Sequence, residues 1–108
     1  MARKRQLALI RLEDPDDPLS RAVPLGTETE FREAVAAFNT APDGSHEQPG
    51  SLTFYGPGLV LEIVPMDGKV NQALVTCQNE DFAWPVLYGM CRANRWKLQD
   101  MESGRMFG

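Results

Sequence analysis

The chain has 108 residues, 43% of them hydrophobic and 24% charged, which is one domain's length with enough apolar content to build a core and excludes wholesale disorder. Eleven Lys and Arg against fifteen Asp and Glu leave a net charge of -4, and an acidic domain repels phosphate backbones, so nucleic acid is not an expected partner. The two cysteines, Cys77 and Cys91, have no Cys-x-x-Cys spacing, which excludes a disulfide framework and a zinc signature.

Residues 1–5 carry Arg3-Lys4-Arg5 and read as a flexible basic tail, with phosphate or anionic-membrane contact as the lesser alternative. The apolar run that follows, Leu7 to Ile10, is too short for a signal-peptide core or a membrane span. A cytoplasmic protein of bacterial type, without membrane contact, is the default expectation. Gln6 to Leu12 is the first strand. Ala8, Ile10 and Leu12 share one face and Leu7, Leu9 and Arg11 the other, so both faces are apolar and the strand is central. Glu13 to Pro24 holds three prolines and four acids and reads as a surface loop.

Thr27 and Glu30 have the spacing of a capping box. Phe31, Ala34, Val35 and Phe38 recur at helical intervals and predict a helix to about Asn39, where Pro42 and Gly44 end it. Residues 40–50 (TAPDGSHEQPG) read as a flexible loop. Extended structure resumes at Leu52. Gly56-Pro57-Gly58 then reads as a bulge within one long edge strand in preference to a tight hairpin turn. Leu59 to Val64 and Val70 to Cys77 form a β-hairpin around Pro65 to Lys69. Asn79-Glu80-Asp81 opens a second helix with cap chemistry. Phe82, Val86 and Met90, with Ala83, Leu87 and Cys91, lie on one face of that helix, which is expected to end near Asn94. Pro85 fits only in its first turn. Trp96 to Asp100 alternates as a last strand, and Arg105 to Phe107 pairs back after a Ser103-Gly104 turn.

The order is β-α-β-β-α-β in a single domain spanning 1–108. This resembles the ferredoxin-like superfold, which implies an α+β architecture: an antiparallel sheet with two helices packed on one face. The resemblance concerns element order and carries no function.

No constellation supports chemistry. His46, in the 40–50 loop, lacks a positioned second member of a triad or metal site. Cys77 precedes a helix N-terminus, yet the neighbouring carboxylates push its thiol the wrong way for a nucleophile, and it reads as a core residue, as does Cys91. Glu13, Asp14, Asp16 and Asp17 lack the glycine and distal glutamate of an EF-hand loop. Gly56-Pro57-Gly58 has neither Gly-Lys-Ser/Thr nor a following helix to hold phosphate. Asp100, Glu102 and Arg105 read as a turn-stabilising ion pair. Strands one and three, QLALIRL and NQALVTC, lack the base-stacking aromatics of an RNA-recognition domain. Glu13-Asp14-Pro15-Asp16 resembles in part the turn of an amino-acid-binding ACT module, but its glycine is missing and the helix starts about ten residues late. The sequence therefore assigns no catalytic residue, cofactor or metal.

What remains is the sheet face opposite the helices. Strand parity assigns to it Leu7, Leu9, Val60, Glu62, Val64, Leu74 and Thr76, an aliphatic patch of the kind monomers cover. The expectation is a small non-enzymatic interaction or regulatory domain, a homodimer or the binder of a protein partner through this face. One alternative is a small-molecule-binding protein or dimeric enzyme, with a cleft between that face and loop 40–50 and Glu62 as its acid–base group; another is that Arg105 to Phe107 covers the face and leaves nothing functional there.

Overall fold

A computed structural model describes residues 4–42 and 50–108. The strands are β1 (Arg5–Leu12), β2 (Ala22–Val23), β3 (Gly26–Thr27), β4 (Leu52–Gly56), β5 (Leu59–Ile63), β6 (Lys69–Val70), β7 (Ala73–Cys77), β8 (Lys97–Asp100) and β9 (Met106–Phe107). The helices are α1 (Glu28–Ala36), between β3 and β4, and α2 (Glu80–Asn94), between β7 and β8. The main sheet runs β4-β5-β7-β1-β8-β9, antiparallel throughout. Its centre, β5-β7-β1-β8, is the ferredoxin-like strand order, and β4 and β9 lengthen the two edges.

Register decides what each strand buries. Directly opposed residues share a face. Phe54, Leu61, Val75 and Leu7 therefore form one row, and Leu52, Ile63, Ala73, Leu9 and Leu98 the next. Both rows join a single core with Phe31 and Val35 of α1 and with Ala83, Leu87, Met90 and Cys91 of α2. Both helices thus cover the same face. Phe31 lies at its centre, edge-on to Phe54 at 5.4 Å and stacked on Trp96 at 5.7 Å.

The capping box forms as expected: Thr27 Oγ1 accepts from Glu30 N at 3.1 Å, and Glu30 Oε1 accepts from Thr27 N at 2.9 Å. The helix stops earlier than its apolar stripe, at Ala36, because Asn39 turns the backbone to φ 58°. At α2, Asn79 Oδ1 accepts from Asp81 N, and Arg95 ends the helix at φ 59°. Pro85 lies beyond the first turn. It has no N–H to donate to the carbonyl of Asp81 four residues back, a loss that falls near the start of the helix, where Asp81 is exposed.

Several expectations need correction. Gly56-Pro57-Gly58 is a hairpin turn and not a bulge, for β4 pairs with β5 from Leu52↔Ile63 to Gly56↔Leu59. Proline suits the second position of such a turn, and Gly58, at φ 69°, supplies the left-handed third. The segment after Ile63 does not return at once into its partner strand. Val70 leaves to pair with Gly26, so β7 starts only at Ala73, opposite Ile63. Arg5, assigned to the tail, is the first residue of β1 and opposes Cys77. The loop after β1 carries β2, which pairs with the end of β1 at Arg11↔Val23 and Leu12↔Ala22. His46 and most of the 40–50 loop lie outside the described residues.

Candidate functional site

The open face follows from the same register. One row across it reads Thr53, Glu62, Leu74, Ala8, Gln99 and Met106; the next reads Tyr55, Val60, Thr76 and Gln6. Val60, Glu62, Val64, Leu74 and Thr76 have the parity of this face. Leu7 and Leu9 do not: both are 0% exposed in the core beneath the helices. Their places are taken by Ala8 and Ile10, which join Leu12 and Met106 in a small separate cluster. The reason is that β1 is apolar on both sides, so alternation alone could not orient it. Pairing of Leu7 with Val75 and of Leu9 with Ala73 does. The face is accordingly a mixture of aliphatic and polar side chains, not a continuous aliphatic sheet.

Its relief is concentrated at one end. There β7 has not yet begun, and β2 takes its place beside β1, so the sheet forks. The fork is a cleft of about 510 Å³. Ile10 and Ala22, Val23 and Pro24 form one wall and Val64 and Met66 the other, with Glu62 and Leu74 at the inner end and Asn71 and Gln72 along it. Val64 and Met66 are each 61% exposed. The exposed Lys69 is joined to Met66 of that wall by reciprocal backbone hydrogen bonds (2.9 and 3.0 Å). The cleft therefore offers apolar walls, one carboxylate, two amides and a nearby cation. Of these residues the sequence pointed to Glu62, Val64 and Leu74. It missed the β2 wall and Met66, although the apolar Val23-Pro24-Leu25 inside an acidic loop was a signal that this segment packs.

A second cluster joins the start of β1 to the end of β8. Arg5 Nε donates to Asp100 Oδ2 at 3.0 Å, and Arg5 Nη1 to Glu80 Oε1 at 3.4 Å. The guanidinium lies 5.0 Å from the Trp84 ring centre and 5.5 Å from that of Phe107, a cation held by aromatic faces and carboxylates together. Asp100 also accepts from Glu102 N and Ser103 N at 2.8 and 3.1 Å. The N–H groups of Ser103 and Glu102, then Arg5, hold its carboxyl below the usual range. The cation on Asp100 is thus Arg5, not Arg105, whose guanidinium sits over Phe107 at 5.4 Å. This cluster clamps two strands and α2, and its charges are satisfied internally.

Neither thiol is placed for nucleophilic work. Burial pushes Cys77 up, and Glu80 adds to this against an opposing pull from Arg5. Burial pushes Cys91 up to about 12. Among the described residues no group of three or more His, Cys, Asp or Glu side chains is arranged to hold a metal ion. No described helix is long and apolar enough to cross a membrane. Compared with known protein families, curated proteins and solved structures, the chain matches none, so the forked end of the open sheet face stands as its candidate site on geometry alone.

Proposed function

We propose that this chain is a small non-enzymatic interaction domain that associates with a second copy of itself through the open sheet face. The carrying observation is the pair Val64 and Met66, each 61% exposed at the mouth of an apolar cleft, where covering them removes apolar surface from water. Two reduced, buried thiols fit a cytoplasmic site of action. Light scattering on the purified protein, from ~10 µM to ~1 mM to span weak interfaces, tests the reading. The expected result is a mass rising from 12.0 kDa toward twice that value, with Leu74→Glu remaining monomeric. A wild type that stays at monomer mass throughout removes self-association.

A second reading rests on the size of the cleft. Its volume of about 510 Å³ falls in the range that holds small molecules, and Glu62, Asn71 and Gln72 supply the few polar groups such sites use to orient a ligand. Amide NMR spectra with a library of small apolar amines test it: shifts at Glu62, Asn71 and Gln72 favour a ligand site, and their absence across the library discards it.

A further inference from the structure

Leu19 is the most exposed large hydrophobic side chain in the described chain, at 93%. It does not project from a slack loop. Asp17 Oδ1 accepts from Leu19 N at 2.9 Å, and Asp14 N donates to Ser20 Oγ at 2.8 Å. Glu13 N reaches Arg21 O at 2.9 Å, and their side chains pair at the same distance. These bonds hold the backbone on either side of Leu19, so a partner that buries the side chain has little loop freedom left to remove. The loop that carries it continues directly into Ala22–Pro24, the wall of the cleft, and three residues span at most ~10 Å. Knob and cleft therefore lie close together on one molecule, as a two-fold interface requires, since each copy must offer both halves of the contact. Charge agrees with the pairing: Asp16 and Asp17 shortly precede Leu19, and the exposed Lys69 is bonded through its backbone to Met66 of the cleft wall.

We infer that Leu19 of one copy inserts into the forked-sheet cleft of the other, reciprocally across a two-fold axis, with Asp16 or Asp17 of the first meeting Lys69 of the second. This rests on the self-association proposed above and names its contact. An interface built on two such knobs is small and belongs to the transient class.

Sedimentation velocity over the concentration range where the wild type associates is the test, using Leu19→Asp (knob removed) and Leu74→Glu (cleft blocked). Circular dichroism checks that both fold, and Met66→Glu replaces the second if it does not. Each variant alone is expected to weaken association by about tenfold or more, since each removes two buried leucine contacts per dimer. Mixing the two is expected to restore part of it, because a mixed dimer keeps one intact knob in one intact cleft. If the cleft variant is monomeric while Leu19→Asp associates like wild type, or if mixing restores nothing, the knob contact is overturned and face-to-face packing stands. A wild type that is monomeric throughout overturns the self-association reading itself.

Discussion

Gly58 is where the hairpin β4–β5 meets the start of α2, and replacing it with alanine measures how tightly those two are joined. At φ 69° an alanine pays ~1–2 kcal/mol for the left-handed backbone. Its new Cβ would lie 2.5 Å from the carbonyl oxygen of Asn79, 2.9 Å from Phe82 Cβ and 3.2 Å from Ala83 N. Two of these obstacles are backbone, so the turn or the helix start must move. The carbonyl of Gly58 accepts from Gln78 N at 2.8 Å and from Asn79 N at 2.9 Å, and loosening both adds ~1–3 kcal/mol. Gly58→Ala is therefore expected to destabilise by ~2–5 kcal/mol, a fall of ~10 °C or more in Tm for a chain of this size. Gly68→Ala is the matched control: its φ is 75°, with nothing within 4 Å of the added Cβ, so it carries only the ~1–2 kcal/mol of strain. Urea unfolding followed by tryptophan fluorescence gives both values. If the two variants agree within ~0.5 kcal/mol, the hairpin does not press on α2 as described.

Three further outcomes follow from the geometry. Asp100 has its folded pKa depressed by the N–H groups of Ser103 and Glu102 and by Arg5, so its contribution is present above the ordinary carboxylate value of ~3.9 and lost as pH falls through the lower folded value. Asp100→Asn is thus expected to be less stable than wild type at pH 7, with the difference closing below about pH 4; an equal difference at pH 3 and pH 7 contradicts this. Arg95 ends α2 at φ 59°, so Arg95→Gly is expected to raise stability by ~0.5–1 kcal/mol after the entropy that glycine adds to the unfolded chain; a loss on thermal unfolding would show that its side chain makes a contact worth more than the strain. Cys77 and Cys91 are both buried with raised thiol pKa values, and both are expected to resist a disulfide reagent at pH 8 until denaturant is added. Rapid labelling of either in the native protein speaks against its burial.

The elements governed by local chemistry were legible in the residues themselves. Thr27 and Glu30 announce the start of α1, Asn79 that of α2, and the β-branched runs announce the sheet, because capping bonds and alternation act within a few residues. The antiparallel α+β architecture followed from the order of these elements. Proline and glycine at 57 and 58 marked an interruption, but a bulge and a turn share those residue types. Only the pairing of Tyr55 with Val60 and Phe54 with Leu61 distinguishes them.

The orientation of β1 and the shape of the site belonged to the tertiary structure. Leu7, Leu9, Ala8 and Ile10 all favour burial, and a strand apolar on both sides has no preferred face until its neighbours impose a register. The cleft depends on β2 occupying the line that β7 vacates when Val70 pairs with Gly26. Arg5 finds Asp100 only because β8 lies beside β1. These meetings join residues from 10 (Leu12 and Ala22) to 95 (Arg5 and Asp100) positions apart; they are set by the packing of the whole sheet, and no pattern within a few residues encodes them.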